Sequence, residues 1–206
     1  MSGTLYLCAT PIGNLGDITL RVIEILKTVD IIAAEDTRNT LKLLNHFEIK
    51  TPMTSYHQHN YAVKGPQLIE KLKAGENIAL VTDAGMPGIS DPGEDMAKRC
   101  REEGIPVTIA PGASAGISAL VLSGMDARRY VFEGFLPVDK KERAAVLKNL
   151  EKETRTTVFY EAPHRLTDTL AQLLKTAGDR EAATVREITK RYEEVRHDTL
   201  GGLLSW

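Results

Sequence analysis

Cysteine is scarce in this chain: Cys8 and Cys100 are the only two in 206 residues. Their positions suit neither a disulfide framework nor a metal knot, and they read as reduced thiols. No apolar run approaches the ~20 residues that a membrane-spanning helix needs. No basic stretch followed by a long apolar one marks a secretory leader. A cytoplasmic protein with no membrane contact is therefore expected. An excess of one charge is missing too, because the net charge is −2, which excludes a free-standing, strongly basic nucleic-acid binder. The phosphate loop G-x-x-x-x-G-K-[ST] does not occur, and the first strand lacks G-x-G-x-x-G.

What is present suits a soluble α/β protein. Hydrophobic residues make up 42% and charged residues 26% of the chain, enough to bury a core in one or two domains. Strand-like and helix-like segments alternate throughout, which points to parallel α/β architecture. Strands are expected at Leu5–Thr10, Ile31–Ala34, Ile78–Val81 and Ile105–Ile109, with helices at Ile18–Val29, from about Asn39, at Tyr61–Ala74 and at Glu94–Glu103. Gly75 and Gly104 stand where left-handed helix caps belong. A second unit starts near residue 126, with strands at Tyr130–Glu133, Thr157–Tyr160 and Ala182–Arg186. We expect domains at 1–124 and 125–206, a mostly parallel N-terminal sheet and a mixed C-terminal one. The chain stops at Leu203-Leu204-Ser205-Trp206, inside an amphipathic helix pattern, so the second domain reads as incomplete.

The richest segment is Thr82–Gly93, TDAGMPGISDPG. It follows an apolar strand and precedes a helix, the place where open α/β sheets bind ligands. Its glycines let backbone approach a ligand, and its prolines stiffen an irregular path. Two other strand ends repeat the design, Pro11-Ile12-Gly13-Asn14-Leu15-Gly16-Asp17 and Glu35-Asp36-Thr37-Arg38. If their strands are parallel neighbours, Pro11, Asp36 and Asp83 line one cleft. Asp36 also reads as a helix cap that pairs with Arg38 on the surface.

Other signals are weaker. Up to residue 120 there are 11 basic and 14 acidic residues, against 15 and 14 afterwards. Arg128, Arg129, Lys140, Lys141, Arg143, Lys148, Lys152 and Arg155 cluster there, as a phosphate-facing surface or a solvated helix face with Glu142, Glu151 and Glu153 interspersed. Gly112-Ala113-Ser114-Ala115-Gly116 imitates G-x-S-x-G, but Ala115 and Gly116 equally suit a turn against a ligand. His57 and His59 lack the acidic or cysteine partners of a metal site.

Seven segments occur in one order: ATPIGNLGDIT, AAEDTR, TDAGMPGISDPG, APGASA, EGFLP, FYEAPHR and REITK. Together they resemble the ribosomal RNA small subunit methyltransferase I group of the tetrapyrrole-methylase superfamily. The resemblance implies two α/β domains, a homodimer, and methyl transfer from S-adenosylmethionine. It implies a ribose 2′-hydroxyl as acceptor, on a cytidine in the decoding region of 16S rRNA within the small ribosomal subunit.

Carried over by residue, the resemblance puts Pro11, Asp83, Gly85, Met86, Ile89, Ser114, Ala115, Tyr160 and Arg186 at the cofactor. Asp36 and Arg38 follow the buried-looking strand IIAA into the expected cleft. They are expected to form the polar half of the reaction site, Asp36 assisting proton removal and Arg38 holding RNA phosphate. His164, Arg165 and Lys190 offer further phosphate donors. Met86 departs from the pattern, which has Thr in this group and Asp in the wider superfamily. The group also continues past residue 206, so one cofactor-facing strand and an RNA-binding tail are expected to be missing. A methyltransferase for a tetrapyrrole or other small substrate on the same scaffold is the alternative enzyme. A non-catalytic RNA or nucleotide sensor is the alternative outside catalysis.

Overall fold

The computed structural model describes residues 2–206. The chain divides into two compact units, the first ending at Ser114 and the second running from Ala115 to Trp206. In the first, β1 (Leu5–Cys8), β2 (Ile31–Ala34), β3 (Met53–Ser55), β4 (Ile78–Val81) and β5 (Val107–Ala110) form one sheet in the order β3-β2-β4-β1-β5. Every pairing in it is parallel. Parallel strands need crossovers, and α1 (Leu20–Thr28), α2 (Thr37–His46), α3 (Tyr61–Lys73) and α4 (Glu94–Glu102) supply them.

Strand side chains alternate between faces, and here both faces are covered. Ile32, Ala34, Ala79 and Val81 join Val22, Leu26 and Leu44 in one core cluster. Ala33, Ile78 and Leu80 join Leu68, Leu72, Met96 and Ile105 in another. All four residues of β4 are buried, as its central place requires. At about 1.5–3 kcal/mol per buried large aliphatic side chain, this double core dominates the unit's stability. Cys8 and Cys100 are buried and free within it, and burial pushes their thiols up to about 12 and about 11.

Local chemistry sets the helix ends. The Thr19 hydroxyl accepts the Val22 N–H at 3.2 Å, so α1 begins two residues later than its apolar pattern suggests. Gly75 and Gly104 adopt φ of 99° and 66° after α3 and α4, the left-handed caps expected of them. The three-residue strand β3, behind Pro52, was not foreseen; such a segment is too short to show alternation.

The second unit contains α5 (Ala115–Leu122), β6 (Tyr130–Phe135), α6 (Lys140–Leu150), β7 (Thr156–Tyr160), α7 (Leu166–Ala177), β8 (Glu181–Arg186), β9 (Glu194–Thr199) and α8 (Leu200–Ser205). Helix α5, which the sequence pattern assigns to the first domain, groups with the second unit, where its Gly116 N–H donates to Tyr160 Oη at 3.0 Å. Strand directions are mixed, as two separate pairs: β6 and β7 run parallel, β8 and β9 antiparallel. Strand β9 was also unforeseen, since EVRHDT is mostly polar. Leu170, Leu200 and Leu203 form the small core of α7 and α8.

Candidate active site

Because the five strands are parallel, the segments after β1, β2 and β4 leave the sheet at one rim. A cleft of about 200 Å³ opens there, lined in part by Thr10, Pro11, Leu15, Asn39, Thr82 and Asp83. Two backbone bonds tie its sides: Thr10 N–H donates to the Gly85 carbonyl at 2.9 Å, and Gly85 N–H to the Thr10 carbonyl at 3.0 Å. The Thr10 hydroxyl donates to the Thr82 carbonyl at 3.0 Å. Gly85 holds φ at 84°, and a Cβ there would stand 3.3 Å from the Ala113 carbonyl oxygen and from Ile12. Any other residue would strain the backbone and crowd the neighbouring loops.

The polar groups at this rim are mostly engaged. Asp83 receives Asn39 Nδ2 at 3.0 Å, while its own N–H donates to Glu35 Oε2 at 3.1 Å. Asp36 caps α2: its Oδ1 accepts the Arg38 N–H at 2.8 Å, and its Oδ2 accepts Arg38 Nη2 at 2.7 Å. Those bonds hold its carboxyl down at about 2. Arg38 extends into solvent, its side chain 87% exposed. Asp91 behaves oppositely. Burial first, then the nearby charges of Glu35 and Asp83, push its carboxyl up to about 6.

Of the residues singled out in the sequence, Pro11, Asp83 and Gly85 meet at this cleft, and Asp36 and Arg38 stand at the β2 end of the same rim. Met86 is half-buried beside Gly85, and Ile89 is exposed farther along the loop. Ser114 and Ala115 fall on either side of the division between units. In the second unit, Tyr160 ends β7, its ring 5.1 Å from Phe132 and 5.5 Å from Phe135. Arg186 pairs with Glu194 across the hairpin and lies 5.3 Å over the Trp206 ring. His164 is exposed in a short turn, whereas Arg165 donates to the Leu136 carbonyl at 3.3 Å. Lys190 pairs with Glu187 at 3.0 Å.

Sequence reasoning overlooked Thr10, Asn39 and Thr82. Thr82 is 1% exposed, and its hydroxyl has no hydrogen-bond partner among the described residues. A buried polar atom left unmatched beside a cleft is a place for a ligand's own polar group. Its one sequence signal is its place at the head of TDAG, directly after the buried strand β4.

A profile of the tetrapyrrole (corrin/porphyrin) methylases matches residues 4–204. The chain belongs to this family. It is 54% identical over 199 residues to ribosomal RNA small subunit methyltransferase I of a Synechocystis species, covering 96% of this chain and 71% of that protein. It is 50% identical over 204 residues to the protein of the same name from Bacillus subtilis, covering 99% and 70%. Among solved structures, a diphthine synthase superposes with a TM-score of 0.78 at 16% identity, covering all of this chain and 85% of that one. A uroporphyrin-III-C-methyltransferase from Thermus thermophilus gives 0.68 at 20%, covering 98% and 88%. These two likenesses show the fold.

The methyl donor of the family is S-adenosylmethionine, and the cleft fits it. The donor carries a positive sulfur, a carboxylate and an adenine. The cleft sets Pro11, Leu15 and Leu43 beside the Asp83 carboxylate and the unmatched Thr82 hydroxyl. Apolar walls with a few placed polar groups answer such a molecule without a phosphate loop.

Proposed function

We propose that this chain methylates small-subunit ribosomal RNA, using S-adenosylmethionine, at the ribose 2′-oxygen of a cytidine in the decoding region. One observation carries the reading: identity of about half, along nearly the whole chain, to proteins named ribosomal RNA small subunit methyltransferase I. S-adenosylmethionine, when bound, supplies an electrophilic methyl group next to a positive sulfur. The chain has to align the ribose oxygen with that methyl and give its proton a path.

Pro11, Asp83, Gly85, Met86 and Ile89 of the first unit hold the cofactor in this reading. Met86 cannot give the side-chain hydrogen bond of a Thr, so its part is made by backbone. Ser114, Ala115, Tyr160 and Arg186 complete the cofactor set. Arg38 contacts an RNA phosphate with its exposed guanidinium, and His164, Arg165 and Lys190 add phosphate donors. Asp36 takes up the 2′-hydroxyl proton. Its position at the rim supports that role, although both of its oxygens already serve Arg38.

Asp91 is the second candidate for the proton, because a carboxyl near 6 accepts one more readily than a carboxyl near 2. The pH profile separates the two. With Asp91 as acceptor, the rate falls as pH drops through about 6, and Asp91→Asn removes that limb. With Asp36 as acceptor, the rate is flat there, and Asp36→Asn costs roughly 10²–10⁴ in rate.

The deciding experiment is transfer of labelled methyl to isolated small ribosomal subunits, followed by alkaline hydrolysis. A 2′-O-methyl group blocks cleavage at its own nucleotide, so label in an alkali-resistant dinucleotide containing cytidine is the expected result. Label released with a mononucleotide places the methyl elsewhere. No label in rRNA returns the chain to small-substrate methylation or sensing. We further propose a cytoplasmic homodimer. Light scattering at micromolar concentration is expected to give twice 22.7 kDa, and a single copy counts against it.

A further inference from the structure

Nine cations outside α6 have acidic partners among the described residues, whereas others, among them Lys27, Lys50, Lys64, Lys98 and Lys175, have none. Arg38, Lys71, Lys73, Arg99, Arg128, Arg155, Arg165, Arg186 and Lys190 all sit within 4.0 Å of a carboxylate. Four lysines of the α6 region do not. The ammonium groups of Lys140, Lys141, Lys148 and Lys152 make no ion pair among the described residues, and all four side chains are exposed.

Their spacing is helical. At about 100° per residue, Lys140, Lys148 and Lys141 fall within one arc of roughly 100°, with Ala144 between them, and Lys152 follows one turn after Lys148. The opposite face carries buried Leu150 and half-buried Val146 and Arg143. Arg143 is spent on structure, donating to the Pro137 and Val138 carbonyls at 2.9 and 2.8 Å. The nearest acid, Asp139, caps the helix through the N–H groups of Lys141 and Glu142. Glu142 lies away from the lysine arc, and Glu151, at the C-terminal end of the helix, is the one acid that falls within it.

Helix stability accounts for only part of this arrangement: Lys148 lies in the last turn, where the dipole favours cations. Lys140 and Lys141 occupy the first turn, where the helix dipole is positive and cations are disfavoured. A stripe that breaks a local rule without a local partner points to an external one. Small Ala144 and Ala145 let a surface come close to the backbone between the ammonium groups.

We propose that the exposed face of α6 docks the phosphate backbone of ribosomal RNA. This rests on the RNA reading above and adds a second contact surface to it. Lysine serves such a surface as a mobile point charge, reading backbone and not sequence. A near-neutral chain gains affinity for RNA from local groups of cations, and this stripe would add to those named above.

The test measures binding of the protein to small ribosomal subunits across potassium chloride concentrations. A variant with Lys140, Lys141, Lys148 and Lys152 all changed to Ala is compared with one carrying Arg at all four. The lysines are exposed and Ala favours helix, so both variants fold. The Ala variant is expected to bind subunits at least tenfold more weakly in about 100 mM salt. Its log–log salt slope flattens by about 3, near one unit per lost phosphate contact. The Arg variant keeps both, and affinity for S-adenosylmethionine is unchanged in all three proteins. Wild-type affinity and slope in the Ala variant overturn the proposal, as does weaker binding with an unaltered slope. Loss of binding to anionic lipid vesicles with subunit binding intact assigns the stripe to a membrane and also overturns it. Failure of the wild type to methylate subunits counts against the RNA methylation reading alone; a salt-dependent loss of subunit binding still upholds the stripe.

Discussion

The two units bury their apolar residues very differently. In the first, a five-stranded sheet carries helices on both faces, and β4 is buried along its whole length. In the second, two separate strand pairs share the work, and the only core cluster among its described residues centres on Leu170, Leu200 and Leu203. Phe132, Phe135 and Tyr130 remain more than one-third exposed there. A deep core fixes the strand ends, and through them the loops that make a cleft. In the thinner unit, side chains are held by short-range bonds such as Arg143 to its own loop and Arg186 to Glu194. Pre-organisation in the first unit therefore comes from packing, and in the second from polar pairs.

The sharpest test of this contrast is a matched pair of core truncations. Leu80→Ala, at a position 1% exposed in β4, is expected to cost about 4 kcal/mol in urea unfolding. Leu170→Ala, 7% exposed, is expected to cost about 2 kcal/mol, because its surroundings relax more easily. Equal losses would break the comparison. Next in size is Gly85→Val, which forces a β-branched residue to a φ of 84° and crowds Ala113 and Ile12. Calorimetry is expected to show S-adenosylmethionine binding weakened by about 1–3 kcal/mol, and an unchanged affinity in the folded variant removes this loop from the site.

A smaller effect carries a pH signature. The native carboxyl of Asp91 lies near 6, above the ordinary value of 3.8, so the folded state holds its proton more tightly. Its contribution favours folding below about pH 4 and fades as pH rises through 6. Asp91→Asn should then raise stability at pH 7 by roughly 1 kcal/mol, after allowing for solvent screening. Denaturation at pH 4 is expected to show little difference between the two proteins. Smallest of all is Glu194→Gln, which breaks an exposed ion pair with Arg186. Its cost is about 0–1 kcal/mol, and a loss several times larger would show that polar pairs carry more of the second unit than argued.

Much of this was legible beforehand where the signal was local. Parallel alternation and the left-handed glycines after α3 and α4 follow from neighbouring residues, as does the irregular, glycine-rich path of TDAGMPGISDPG. The capping role of Asp36 was legible too, since Asp before a helical run accepts its first N–H groups. Strands β3 and β9 escaped because one is three residues long and the other polar. Thr82 escaped because an orphaned hydroxyl shows only after every neighbour has been placed.

By itself, then, the sequence determined the kind of most elements and the family. Those properties depend on side-chain periodicity, turn chemistry and motif order within short stretches of chain. Tertiary structure alone decided the strand order β3-β2-β4-β1-β5, the bridge between Thr10 and Gly85, and the elevated carboxyl of Asp91. It also decided that the four lysines of the α6 region make no ion pair among the described residues. Each of these depends on groups far apart in sequence meeting, or failing to meet, across a few ångströms, and no local pattern records such distances.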